Sequence, residues 1–219
     1  MKKTQGEKIF NIFNVIVMFA VAFLTLYPFY YVLAASLSKS AEFMAHQGFL
    51  YKPLGFTLGA YKVVLKNDRI VTGFLNTGFL LVVKTSISML LTIIGAYTMC
   101  KRDALLVPKL MFLIVVTMFF SGGMIPTYLN VRSLGMDNKI WALIIPTAIN
   151  TFNLIIMRNA FDSIPRELDE AAAIDGAGCV KTLFIVMLPL VVPSVMVILL
   201  YYAVDVWNSW FDAMLYIRK

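Results

Sequence analysis

Charge is scarce in this 219-residue chain: Asp, Glu, Lys and Arg make up 14% of it, against about a quarter in ordinary soluble proteins. With 60% hydrophobic residues and a mean hydropathy of +0.82, the chain is expected to live in a lipid bilayer. Histidine occurs once, at His46, which reads as a loop or interface residue, and cysteine twice, at Cys100 and Cys179. Neither cysteine has metal-ligand spacing to the other, and on the topology given below both face the reducing side, so neither a metal site nor a disulfide is expected. The sequence contains no G-x-x-x-x-G-K-[ST], H-E-x-x-H or G-x-S-x-G. A nucleotide cradle, a zinc-protease helix and a serine nucleophile elbow are thereby excluded. No catalytic residue is expected in this chain. The net charge of +7 and pI near 9.4 would point to nucleic acid in a soluble protein. Here Lys and Arg are scattered through short loops between apolar runs, a pattern of membrane topology, and no nucleic-acid partner is expected.

Long hydrophobic runs are what the chain does have. About 20 apolar residues cross the hydrocarbon core, and five segments meet that length approximately: 12–35, 74–99, 105–120, 140–157 and 183–206. The expected fold class is an all-α membrane protein, a polytopic bundle forming a single transmembrane domain over 1–219. The first run follows Met1-Lys2-Lys3 as a signal peptide would, but it exceeds a signal h-region and no A-x-A site follows, so an uncleaved helix is expected. Pro189 and Pro193 remove backbone donors inside the fifth run and should bend it. The density of Lys and Arg orients the chain only weakly, with the N-terminus inside.

Between the fourth and fifth runs lies a polar island, 158–182. Its core reads Glu170-Ala171-Ala172-Ala173-Ile174-Asp175-Gly176, and after nine residues comes Val186-Met187-Leu188-Pro189. Pro165 and the acids Glu167, Asp169 and Glu170 favour a helix start near Ile164, by their fit to a first turn and to the helix dipole. Three alanines favour helix while leaving the backbone open to another surface. Gly176 is suited to the positive φ that ends a helix. Asp162, Glu167, Asp169, Glu170 and Asp175 are five of the chain's twelve acids, an unfavourable crowd beside an anionic leaflet unless a basic partner docks there.

The island resembles the cytoplasmic coupling loop of bacterial binding-protein-dependent ABC importers, whose pattern is E-A-A, three residues, G, nine residues, I-x-L-P, with only the Ile replaced here, by Val186. Weaker likenesses point to the carbohydrate branch related to maltose permease: Tyr27-Pro28, Asn76-Thr77, Ala96-Tyr97 followed by Lys101-Arg102, Leu134-Gly135-Met136-Asp137-Asn138, and Trp207-Asn208. The resemblance implies a type I importer permease, multi-pass in the bacterial cell membrane. It also implies a homologous second permease, two copies of a cytoplasmic ATPase that binds ATP and Mg, and an extracytoplasmic solute-binding protein. Glu170, Ala171, Ala172, Asp175, Gly176, Leu188 and Pro189 would then be the ATPase-coupling residues. The family habit of six spans implies a further helix after Arg218-Lys219.

An oligosaccharide is the expected solute; a peptide or polyamine importer of the same architecture, or an ion-coupled secondary transporter, is the alternative. The last needs membrane-embedded acids around an ion site, and only Asp205 approaches that, near the outer end of the fifth run. Candidate solute-path residues are Lys84, Asn150, Asn153, Trp207 and Asn208. Lys84 lies inside the second run, where a lipid-facing charge costs about 2.5 to 3.5 kcal/mol, so it faces protein or water, as path lining or as a paired group. Asn150 and Asn153 read as one helical turn apart, suited to sugar hydroxyls or to interhelical bonds. Trp207 and Trp210 fit either interfacial anchoring or sugar stacking.

Overall fold

A computed structural model describes residues 4–101, 106–120 and 122–218. Met1–Lys3, Arg102, Leu105 and Lys219, which entered the reading above, lie outside the described residues. Among the described residues the chain is helical without strands, and it separates into two compact units, 1–73 and 74–219.

In the first unit, α1 (Gln5–Ser36) starts at a reciprocal cap: Thr4 accepts from the Glu7 N–H, and the Glu7 carboxylate accepts from the Thr4 N–H. Its apolar side chains are exposed on every side, the pattern of a helix solvated by lipid. Two short helices follow, α2 (Ser40–Ala45) and α3 (Gly59–Leu65). The loop around α2 is tied to the end of α1. The Leu50 N–H donates to the Tyr27 hydroxyl (3.0 Å), and buried Ser38 donates to the Ala34 carbonyl while accepting from the Leu54 N–H. Tyr27 thus helps order the loop that follows α1.

The unit boundary falls inside α4 (Asp68–Cys100), which starts earlier than the 74–99 run and carries Asn76-Thr77 within it rather than at its start. The second unit continues with α5 (Val107–Phe119), α6 (Met124–Ser133), α7 (Trp141–Ile144), α8 (Thr151–Asp162), α9 (Arg166–Ile174), α10 (Cys179–Lys181), a π-helical turn (Thr182–Met187), α11 (Leu188–Leu190), α12 (Val192–Asn208) and α13 (Trp210–Tyr216).

The five-span count is not confirmed among the described residues. Among the described residues only α1 and α4 are long and apolar enough to cross a membrane unbroken. The count reaches four if α5 with α6, and 179–190 with α12, each count as one bent span. The 105–120 run yields a 13-residue helix, and α6 leaves it at 120° after Gly123, whose φ of 84° is open to glycine. The 140–157 run breaks into α7 and α8. Pro146 interrupts the hydrogen-bond ladder, and Asn150 starts a new helix by accepting from the N–H groups of Phe152 (2.9 Å) and Asn153 (3.2 Å). The fifth run bends by 89° at Val191, between Pro189 and Pro193 as expected. The π-helical turn ahead of it had no signal in the periodicity.

The core gathers Met89, Ile93, Ala96 and Tyr97 of α4, Leu154, Met157 and Phe161 of α8, and Leu183, Met187, Ile198 and Tyr202 from the last run. One polar knot joins these elements. The Tyr202 hydroxyl lies 2.7 Å from the Thr92 hydroxyl and accepts the Asn150 N–H at 3.0 Å. A smaller cluster packs Val131, Ala142 and Leu143 against Tyr216. There the Arg218 guanidinium donates to the Tyr128 hydroxyl (2.7 Å), and the Asn138 N–H donates to the Tyr216 carbonyl (3.0 Å).

Tyr202→Phe should leave the Asn150 N–H and the buried Thr92 hydroxyl unpartnered, at a cost of about 1 to 3 kcal/mol. The expected result is a clear drop in the thermal midpoint of the detergent-solubilised protein, measured beside Tyr201→Phe, an exposed neighbour outside the knot. Equal midpoints for the two variants would contradict the knot.

Candidate functional site

The polar island folds as a two-helix knob. Pro165 is the residue before α9, with φ −55° and ψ 133°, so the helix begins at Arg166, two residues later than expected: proline serves as the cap and not as the first helical residue. Glu167 and Asp169 occupy the first turn, where negative charge meets the helix dipole. The end of α9 is a Schellman motif: the Ala177 N–H donates to the Ala172 carbonyl (2.9 Å) and the Gly176 N–H to the Ala173 carbonyl (3.1 Å), with Gly176 at φ 74°. A Cβ on Gly176 would meet nothing within 4 Å in this chain. The requirement for glycine at this position is therefore conformational and not one of packing within the chain.

Of the seven coupling residues read from sequence, Glu170, Ala171, Asp175 and Gly176 lie on the exposed side of the knob. Ala172 is buried, where it seats α9 against the π-helical turn. Leu188 is half-buried against the core and Pro189 is exposed, both beyond the knob at the start of the bend. Two residues that the sequence reading left aside stand out: Ile174 is 86% exposed and Val180 is 72% exposed, one at the end of α9 and one in α10. Apolar side chains placed at the surface of an acidic knob suit a partner's pocket. Their signal in the sequence was their presence inside an otherwise polar island.

Behind the knob, the end of α4 supplies its attachments. The Tyr97 hydroxyl donates to Asp169 Oδ1 at 3.0 Å, and the Tyr97 ring packs edge-on against Phe161 at 5.9 Å. Lys101 Nζ lies 3.4 Å from Cys179 Sγ and 5.0 Å from the centre of the Tyr97 ring. Burial pulls the Lys101 ammonium down, but Cys179, Tyr97 and Asp169 outweigh it and hold the group above the usual lysine range. Arg158 Nε donates to the Met99 carbonyl (3.2 Å). A cavity of about 200 Å³ between these parts is lined by Tyr97, Lys101, Arg166, Asp169 and Glu170, among others.

A second polar cavity, of about 240 Å³, has Lys84, Thr147, Asp205, Asn208, Phe211 and Asp212 among its walls. Lys84 is 3% exposed, so its ammonium is held inside the protein and away from lipid. Of the candidate path residues, Lys84 and Asn208 meet here, and Asp205 joins them. Asn150, Asn153 and Trp207 do not line this cavity. Asn150 precedes α8 and spends its side-chain oxygen on capping, and Asn153 is buried in the first turn of that helix, so the pair does not present two free amides on one helix face. Trp207 is exposed and rests against Phe74 at 6.3 Å. Trp207-Asn208 closes α12 and does not lie past it.

Comparison with known proteins places this architecture. The chain is 41% identical over 218 residues to protein LplC of Bacillus subtilis (strain 168), covering 100% of this chain and 74% of that protein. It is 43% identical over 207 residues to the polygalacturonan/rhamnogalacturonan transport system permease protein YtcP of the same organism, covering 94% and 71%. Its fold matches a chain in the crystal structure of a bacterial ABC transporter involved in the import of the acidic polysaccharide alginate, with a TM-score of 0.95, 34% identity, and coverage of 100% of this chain and 78% of that one. No family model matches the chain. By these relatives the chain belongs to the sugar-transport permease subunits of ABC importers.

Gly176→Val should be worse than Gly176→Asn, because a β-branched residue tolerates positive φ least while asparagine visits that region readily. Circular dichroism on the purified chain should show unchanged helix content in both, while limited proteolysis near 175–179 should accelerate in the valine variant. Equal proteolysis of the valine variant and the wild type would remove the conformational argument.

Proposed function

We propose that this chain is the pathway-forming subunit of an oligosaccharide importer, and that 158–182 docks into a separate cytoplasmic ATPase, which binds the ATP and Mg. The observation that carries the reading is the knob itself: a Schellman-closed helix with Glu170 and Ile174 outward, anchored from behind by Tyr97 and Lys101. An acidic face with an apolar tip suits a cleft that has a basic rim and an apolar floor. A homologous permease and an extracytoplasmic binding protein complete the importer on this reading, with the membrane as its setting.

Oligosaccharide as solute class is supported by the names of the relatives, a permease for polygalacturonan and rhamnogalacturonan and an importer of alginate. Lys84, Asp205, Asn208 and Asp212 are the path residues we favour, since a cavity lined by donors and acceptors matches hydroxyl-rich rings. Asn150, Asn153 and Trp207 have structural employment elsewhere.

Glu170→Lys reverses one charge on the docking face, and Gly176→Asp adds bulk to that face where Gly176 leaves open space. Both variants should reach the membrane at normal levels, yet lose most ATPase co-purification or solute-stimulated hydrolysis. Wild-type uptake and hydrolysis in both would refute the docking. Sidedness has its own check. In a Cys100→Ser, Cys179→Ser background, a cysteine at Ile174 should react with an impermeant thiol reagent only after the cytoplasmic face is opened. One at exposed Leu134 should react from outside, and the reverse order would invert the topology.

A further inference from the structure

The proposed docking knob and the proposed solute cavity share one helix. Lys84 stands in the middle of α4 and Tyr97 near its end, thirteen residues on, which is about 20 Å along the axis at 1.5 Å per residue. Tyr97 is buried against Phe161, so its ring is fixed, and its hydroxyl reaches out of the helix bundle to Asp169 Oδ1 at 3.0 Å. Asp169 is in the first turn of α9, next in sequence to the outward-facing Glu170.

We infer that Tyr97 is a positioning residue for transport: its bond to Asp169 makes the knob and α4 move as one body, so that displacement of the knob by the ATPase reaches Lys84. This rests on the docking reading above and adds a named link to it. Other ties between knob and bundle are of different kinds. Lys101 reaches Cys179 in α10, and Arg158 secures α8 to α4 ahead of the knob. The Tyr97–Asp169 bond joins α4 directly to the helix that carries Glu170. It is a bond to a charged acceptor, the stronger class of hydrogen bond, and it is partly shielded from water. α4 runs unbroken from Lys84 to Tyr97, a rigid element of the kind that carries coupling between sites.

The test uses the complete importer purified from membranes, with its binding protein and solute. Tyr97→Phe keeps the ring and its contact with Phe161 but removes the donor. Asp169→Ala removes the acceptor, and Asp169→Asn restores an acceptor oxygen without the charge. The expected result is that Tyr97→Phe, which lies outside the docking knob, retains the ATPase in wild-type stoichiometry and keeps basal hydrolysis. Solute transported per ATP hydrolysed should fall by about fivefold or more, the lower range of allosteric coupling. The double variant should be no worse than either single one, and Asp169→Asn should recover most of the ratio. A purely structural role would lower assembly or thermal stability and leave the ratio of the surviving complexes unchanged, which would overturn the inference. An unchanged ratio in Tyr97→Phe, or additive losses in the double variant, would overturn it as well. Loss of the ATPase from Tyr97→Phe alone would also overturn it, by making Tyr97 part of the docking contact. If even Glu170→Lys and Gly176→Asp hold and couple the ATPase normally, the docking reading itself fails and takes this inference with it.

Discussion

A polar atom buried among apolar helices in a membrane has no water to turn to, so each break in a helix must be answered by a nearby side chain. This chain breaks its helices repeatedly, and the answers hold the second unit together. The restart at Asn150 leaves N–H groups exposed at the start of α8. Asn150 takes two of them with its own side chain, and Tyr202 takes the Asn150 N–H while meeting Thr92 on α4. A single hydroxyl thus locks α4, α8 and α12 at the level where α8 begins. The apolar cluster of Met89, Ile93, Leu154, Met157 and Ile198 fills the space around that lock. Packing supplies the bulk of the contact area, and the hydroxyl fixes the register.

The same constraint explains why the shape of the 166–177 knob was legible in the sequence and the count of spans was not. A Schellman end needs glycine at one place, and a helix start before an acidic turn needs a proline or a capping group at another. These are local rules, so Glu170 through Gly176 could be read almost to the residue. Apolar length, by contrast, measures only what tolerates lipid. It says nothing of where a ladder is interrupted: breaks at Pro146 and Val191 divide two of the five runs, and the 105–120 run ends after a 13-residue helix. Pro189 and Pro193 announced the last of these breaks because proline acts through its own missing donor. The π-helical turn at Thr182–Met187 has no comparable residue rule, and it became visible only with the backbone.

Candidate solute-path residues were harder still to read, because a polar side chain in an apolar run has two uses. Asn150 and Asn153 carry the amides a sugar would want, yet the broken helix claims the first as its cap and buries the second. Lys84 had the opposite fate. Its charge rules out lipid, and the fold sets it in a cavity whose walls include the carboxylates of Asp205 and Asp212. Those acids come from the end of α12 and from α13, more than a hundred residues away in sequence. No periodicity connects them to Lys84.

Tying both proposed sites to α4 has a mechanical consequence. A helix resists compression along its axis far better than a loop does, so a push at Tyr97 has little room to dissipate before it reaches Lys84. The bend at Val191 provides the contrasting property: Pro189 and Pro193 have already removed the bonds that would resist flexing there, and the π-helical turn lies just ahead of it. The knob is therefore joined to one continuous helix through a side chain and to one broken helix through the chain itself. If the knob tilts, α4 is the element suited to follow it as a rod, while the 179–208 stretch is the element suited to fold at Val191. Asp205 and Lys84, on the two elements, would then change their separation across the cavity they share.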